Sequence, residues 1–350
     1  MFQRLTRRAS LLLALAVALF FASGSIAPAA AFAQGSAASC VAAGTTGLTA
    51  KVVAAAGQTI TGQVDATGCD VGVYVGPSAR GVTIENASVS GANDHGIFVQ
   101  DAFGTVIENS VVFRNGVDPT LCPSPPKQPT GPCIAEDKPI ELVGTSHAVV
   151  KDNVVDGNLA DGGIGVADDG ATDPGALRPG TPHAAYHNLI EHNVIEANRG
   201  GGGIVLAAYN ANGGLSNNVV EGNFVAENVA GIVVATNAPH AIAQDDDVFN
   251  NTVVSNTIAG VIVHASAPFD MVSGTNIQGN ILVGNGPDPS AAGGHGPKSP
   301  TGIAVVAEPL PPHTPAGVHG AQIHGTTLKG NTFVHETVTN FVFGAVATAN

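Results

Sequence analysis

The chain has 350 residues with 13 basic against 27 acidic side chains and no tryptophan. A surface this acidic argues against nucleic acid and anionic membranes as ordinary partners, and a polyanionic substrate would need a local basic cleft or a bridging cation. Aromatic residues make up 5% of the chain, so the core must be built from Val, Ile, Leu and Ala, while 45 Gly and 22 Pro make turns frequent and long helices unexpected.

Residues 1–33 read as an export signal rather than as part of the fold. Arg4, Arg7 and Arg8 form a basic start, Leu11 to Phe21 an apolar run too short to cross a membrane, and Ala31-Phe32-Ala33 a small-x-small cleavage site. Thr6-Arg7-Arg8 hints at a twin-arginine signal, but the general secretory route is the expected one. Cleavage would leave a chain beginning at Gln34 with ten basic and 27 acidic residues, a net charge of −17 with His neutral. No later run has the length of a transmembrane helix, so a secreted or periplasmic location is expected. Four cysteines in an exported chain read as two disulfides, Cys40–Cys69 and Cys122–Cys133. Residues 34–58 read as an amino-terminal cap, with Leu48 to Ala56 as a short helix or strand covering the first coil.

From residue 59 the chain repeats itself. Gly203-Ile204-Val205-Leu206, Gly231-Ile232-Val233-Val234 and Gly260-Val261-Ile262-Val263 begin 28 and 29 residues apart. Related strands start at Ile97, Ile140, Ile164 and Ile303. A second, shorter strand in each unit ends in Asn at 153, 193, 223, 251, 280 and 331, and another Asn follows five residues later, replaced at the last unit by Glu336. A fixed period of this length is the mark of a solenoid. Period-2 alternation puts Ile204 and Leu206 inside and Val205 and Ala207 outside. The Asn rows are expected to sit in tight turns, where Asn tolerates a left-handed backbone, and to hydrogen-bond from coil to coil.

These G-I-x-V strands and N-x-[VI] turns resemble the right-handed parallel β-helix superfamily of pectate lyases. More closely they are similar to the generic β-helix repeat domain of secreted bacterial proteins, over roughly residues 57–343. The resemblance implies an all-β fold, a single right-handed parallel β-helix over residues 59–350 behind the amino-terminal cap. That architecture hosts lyases, hydrolases, epimerases, esterases and adhesins, so it says little about activity. The paired-Asp and Gly-His-Gly set of polygalacturonases is matched only in fragments, by Asp168-Asp169-Gly170 and Gly294-His295-Gly296. The Asp-Pro-His motif of alginate epimerases is absent.

Extra residues are inserted at Gly116 to Lys138, Asp168 to Tyr186, Gly286 to Pro300 and Glu308 to Val318, all at the ends of G-I-x-V strands. Such loops would wall a groove over that sheet. The floor would be mostly small and apolar, with Glu141 and His264 as polar exceptions and no Trp to stack on sugars. Glu141, Asp168 and Asp169 are candidate ligands for a Ca²⁺ ion, which prefers several oxygens. Arg199 and Tyr209 are candidate catalytic groups for proton abstraction beside a uronate carboxylate, with Asp161 and His264 as candidate substrate contacts. The polar run Asp245-Asp246-Asp247 reads as a solvated turn. His183, His187 and His192 carry little metal signal on a β pattern. The expected function is that of a carbohydrate-active, lyase-like enzyme on an acidic or decorated polysaccharide. The alternative is a non-catalytic β-helix that binds a glycan or a protein in the cell envelope.

Overall fold

Short runs of β-branched residues separated by Gly, Asn and Asp favour brief strands joined by tight turns, and stacking such units lets each bury the apolar face of the next. The structure, a computed structural model, describes residues 39–116, 138–170, 183–287, 298–310, 313–345 and 347–349. The expected leader, the pair Cys122–Cys133, the centres of the first three insertions and residues 311–312 of the fourth lie outside the described residues.

The strands form three sheets of a parallel β-helix. The first has 11 strands and contains every G-I-x-V segment, from Thr49–Val53 and Val71–Val75 through His95–Gln100, Ile140–Val143, Ile164–Ala167, Gly202–Ala208, Ala230–Thr236 and Ile258–Ala265 to Thr301–Ala307 and Val338–Phe343. The second, of 17 strands, is made of two columns that meet at the first Asn row, and the third is a narrow column of five strands from Ala185–Tyr186 to Gln322–His324. Among the described residues no helix is long and apolar enough to cross a membrane.

Register follows the repeat. Ile140, Ile164, Ile204, Ile232, Val261 and Ile303 stand opposite one another in the first sheet, as do Leu142, Val166, Leu206, Val234, Val263 and Val305. These residues are buried, and with Val150, Ile190, Val220 and Val248 of the second sheet they make one continuous core.

Three ladders run along its corners. Asn153, Asn193, Asn223, Asn251, Asn280 and Asn331 form one, each side-chain amide donating to the carboxamide oxygen of the next at about 3.0 Å. Asn115 through Asn285 form a second, which ends on Glu336. In a third, Asn188 donates to Asn218 and Asn218 to Asp246. Each of these oxygens also accepts the backbone N–H of the preceding ladder residue. The left-handed residue is not the ladder Asn itself but the one before it: Asp152, His192, Gly222, Asn250 and Gly279 have positive φ. Asp246 is buried at the end of the third ladder, while Asp245 is exposed and Asp247 half-buried, so the acidic run is solvated only in part.

The amino-terminal segment is built into the helix. Thr49–Val53 is a parallel neighbour of Val71–Val75, and Val41–Ala42 folds back antiparallel along it. The expected lid is therefore the first strand of the first sheet. The Cys40–Cys69 disulfide is present and spans 29 residues, packing against Ala66 and Ala92.

Candidate functional site

The outer face of the first sheet changes character along the helix. The outward row passes through Tyr74, Phe98, Glu141, Gly165, Val205, Val233, Ile262 and Ala304. From Val205 onward it is apolar and joins Ala207, Ala230, Ala235, Val306, Phe341 and Phe343 in two small clusters. In the earlier coils it is aromatic and titratable. Among the described residues eight titratable side chains are buried, and six of them (Asp94, His95, Lys138, Glu141, Asp168 and Asp169) fall in the coils between residues 94 and 169. Burying charge is costly and the solenoid does not require it, because later coils fill the same row with Val and Ile.

Lys138 is the centre of this group. Only 1% of its side chain is exposed, and its Nζ donates to Asp161 Oδ2 at 2.8 Å. Its stem passes through the space left by Gly165, where an added Cβ would come within 2.7 Å of Lys138 Cγ. Burial opposes the ammonium charge, but Asp161, Tyr209 and Glu141 more than offset it and hold the pKa above its ordinary value. The Lys138 backbone N–H donates to Glu141 Oε2 at 3.3 Å, and His95 Nδ1 lies 3.2 Å from the same oxygen and 3.1 Å from the Lys138 carbonyl. The His95 ring stacks on Phe98 at a centroid distance of 4.6 Å. Burial raises the Glu141 carboxyl against the pull of His95 and Lys138, which favours its protonated form.

Asp168 and Tyr209 close the group on the carboxyl-terminal side. Asp168 accepts the Tyr209 backbone N–H at 2.7 Å and that of Asn210 at 3.2 Å. Burial, only partly countered by these bonds, pushes the Asp168 carboxyl up to about 6. Tyr209 is half-buried and packs on Val205, Ala207 and Ala235 as well as on the cluster holding Val143 and Ala167.

Of the residues expected from sequence, Glu141, Asp161 and Tyr209 thus share the surroundings of Lys138, and Asp168 holds the Tyr209 backbone. Arg199 stands exposed on the rim, its N–H donating to the Asn158 carbonyl. His264 is three coils beyond Gly165, in the row that begins with Gln100, and pairs with Glu308 at 3.0 Å. Asp169 turns away to Gln100 Nε2 at 3.0 Å and to the neighbourhood of Asp101 and His183. Glu141, Asp168 and Asp169 accept from N–H donors in three separate places, so they do not form an oxygen cage suited to Ca²⁺. Sequence reading missed Lys138 and His95. The signal for Lys138 was Lys-Pro-Ile-Glu standing where the other coils read G-I-x-V.

Residues 52–248 match the family model for a right handed beta helix region. The chain belongs to this right-handed β-helix family. Solved structures similar to this β-helix protein agree on the fold. A single-residue mutant of the periplasmic alginate epimerase AlgG shares 13% identity at a TM-score of 0.50, covering 87% of this chain and 63% of its own. The A-module of a mannuronan C-5 epimerase from Azotobacter vinelandii shares 16% at 0.43, covering 78% and 65%. The surface adhesin PfbA of Streptococcus pneumoniae shares 12% at 0.43, covering 77% and 64%. The chain spans less than two thirds of the length of these structures. No curated protein matches it by sequence.

Proposed function

We propose that this β-helix protein is exported and carbohydrate-active, a lyase-like enzyme acting on an acidic polysaccharide laid over the outer face of the first sheet. The supporting observation is the buried Lys138 with Asp161, Glu141, His95 and Tyr209 around it, in coils whose neighbours do without charge at the same row. In β-elimination the C5–H bond of a uronate breaks and its electrons move toward the carboxylate. The C4–O bond then breaks to leave a C4=C5 double bond, and the departing oxygen takes from Tyr209 the proton removed at C5. Lys138 supplies the positive charge that offsets the growing carboxylate charge, with Glu141 beside it. Tyr209 takes the C5 proton, with Asp168 fixing its backbone, while Asp161 and His95 orient Lys138 and Glu141. In this reading Arg199 and His264 contact flanking sugars. No step passes through Ca²⁺. The expected leader and the Cys40–Cys69 disulfide support an oxidising compartment.

The test is incubation with a panel of polyuronates, reading the ultraviolet band of the unsaturated product and deuterium uptake at C5. Wild type is expected to give one of the two signals, and Tyr209→Phe to lose about 100-fold or more, the usual weight of a general base. Silence of the wild type on every substrate refutes the enzymatic reading. The second reading is a non-catalytic binder in the cell envelope. It is favoured by the exposed apolar side chains Phe103, Tyr186 and Ile242, which the lyase reading does not use.

A further inference from the structure

A separate group lies where the first sheet ends and the chain turns toward the third. Asp101, Asp169 and His183 each offer one ligand atom, and the three atoms lie within 4.8 Å of one another. His183 Nδ1 is 2.7 Å from Asp101 Oδ1. Backbone, rather than chance approach of long side chains, fixes the spacing. Asp169 and His183 form an antiparallel bridge, with Asp169 N–H donating to the His183 carbonyl at 2.9 Å and His183 N–H to the Asp169 carbonyl at 2.7 Å. Asp101 is held in the left-handed region at φ 49. Gly144 sits directly beneath, where a Cβ would strike Asp101, Asp169 and His183 at once.

Two further features point to a bound cation. The Asp101 side chain is 6% exposed, and among the described residues its Oδ2 is buried without a hydrogen-bond partner. A carboxylate oxygen in that position costs stability unless a positive group reaches it. Behind the group runs a supporting chain: Tyr74 Oη donates to Gln100 Oε1 at 3.1 Å, and Gln100 Nε2 to Asp169 Oδ2 at 3.0 Å. Such outer hydrogen bonds orient a ligating carboxylate.

We propose that Asp101, Asp169 and His183 bind a first-row divalent transition metal, with Zn²⁺ or Mn²⁺ as the fitting class. One imidazole with two carboxylates matches those ions better than Ca²⁺, which takes six to eight oxygens. Three protein ligands leave at least one position for water or for a ligand oxygen. The site is independent of the lyase reading, in which Asp101, Asp169 and His183 take no part.

The experiment is calorimetric titration of the chelator-stripped full chain with ZnCl₂, MnCl₂ and CaCl₂, together with the visible spectrum of the Co²⁺ form. One equivalent of Zn²⁺ or Mn²⁺ is expected, undisturbed by excess Ca²⁺, with Co²⁺ bands showing nitrogen and oxygen ligation. His183→Ala and Asp101→Asn are each expected to weaken binding by at least about 100-fold, more than the loss of an outer-shell partner. His192→Ala, at an exposed turn, controls for surface histidines and is expected to change nothing. Absence of stoichiometric binding by wild type overturns the proposal without recourse to any variant. Binding that survives His183→Ala in a protein that keeps its melting transition overturns it as well.

Discussion

At the scale of single residues the corner ladders set the expectations. Asn251 accepts the Asn223 N–H and side-chain amide and donates to the Val220 carbonyl and to Asn280, all between 2.9 and 3.0 Å. Asn251→Ala leaves the buried Asn223 backbone N–H without its acceptor, at about 1–3 kcal/mol. A melting temperature within a degree of wild type would contradict the ladder as a stabilising device. Asp246 is the exception in its row. Burial pushes its carboxyl up to about 7, against the hydrogen bonds from Asn218. Its folded pKa is above the unfolded value, so the stabilising protonated form is complete below about pH 4 and is lost as pH rises through about 7. Thermal stability is expected to fall between pH 5 and pH 8, and Asp246→Asn to flatten that slope and to raise the melting temperature at pH 8. An unchanged slope in the variant would contradict this. The Asn rows were legible because their spacing is that of the repeat. Which residue of each turn is left-handed was not, since Asp, His, Gly and Asn share that position without a sequence pattern.

Elements carry the contrast between scaffold and site. The inner row is uniform, and Ile204→Ala is expected to cost about 2–5 kcal/mol for the cavity it opens between Ile164 and Ile232. The outer row is where coils differ. Glu141→Val gives this coil the residue that two later coils carry, and it removes a buried carboxyl whose partners keep other contacts. The melting temperature is expected to hold or rise while activity is lost, since a buried polar group kept for function is retained against stability. A marked fall would mean that the cluster is structural. The G-I-x-V rows announced inside and outside correctly because β alternation is rigid within a strand. They announced nothing about Lys138, which sits just before Ile140, or about Asp101 and His183, brought together over 82 residues only by stacking. Glu141 and Tyr209 were legible as polar departures from an apolar floor; their common partner was not.

At the scale of the molecule, coils touch mainly their neighbours, so the ends are the weak points. The Cys40–Cys69 bond ties the first strands to the helix across 29 residues, and its reduction is expected to cost about 3–4 kcal/mol by loop closure. A melting temperature insensitive to reductant would show that the end is held by packing alone. The central claim is that the charged coils between residues 94 and 169 are the working face and the uniform coils beyond Gly203 a scaffold. Hydrogen exchange with and without a saturating oligouronate tests this most directly. Protection confined to His95–Gln100, Ile140–Val143, Ile164–Ala167 and the segment around Tyr209 is the expected result. Protection that falls instead on the second sheet, or on the apolar coils from Ala230 to Phe343 alone, would contradict the account.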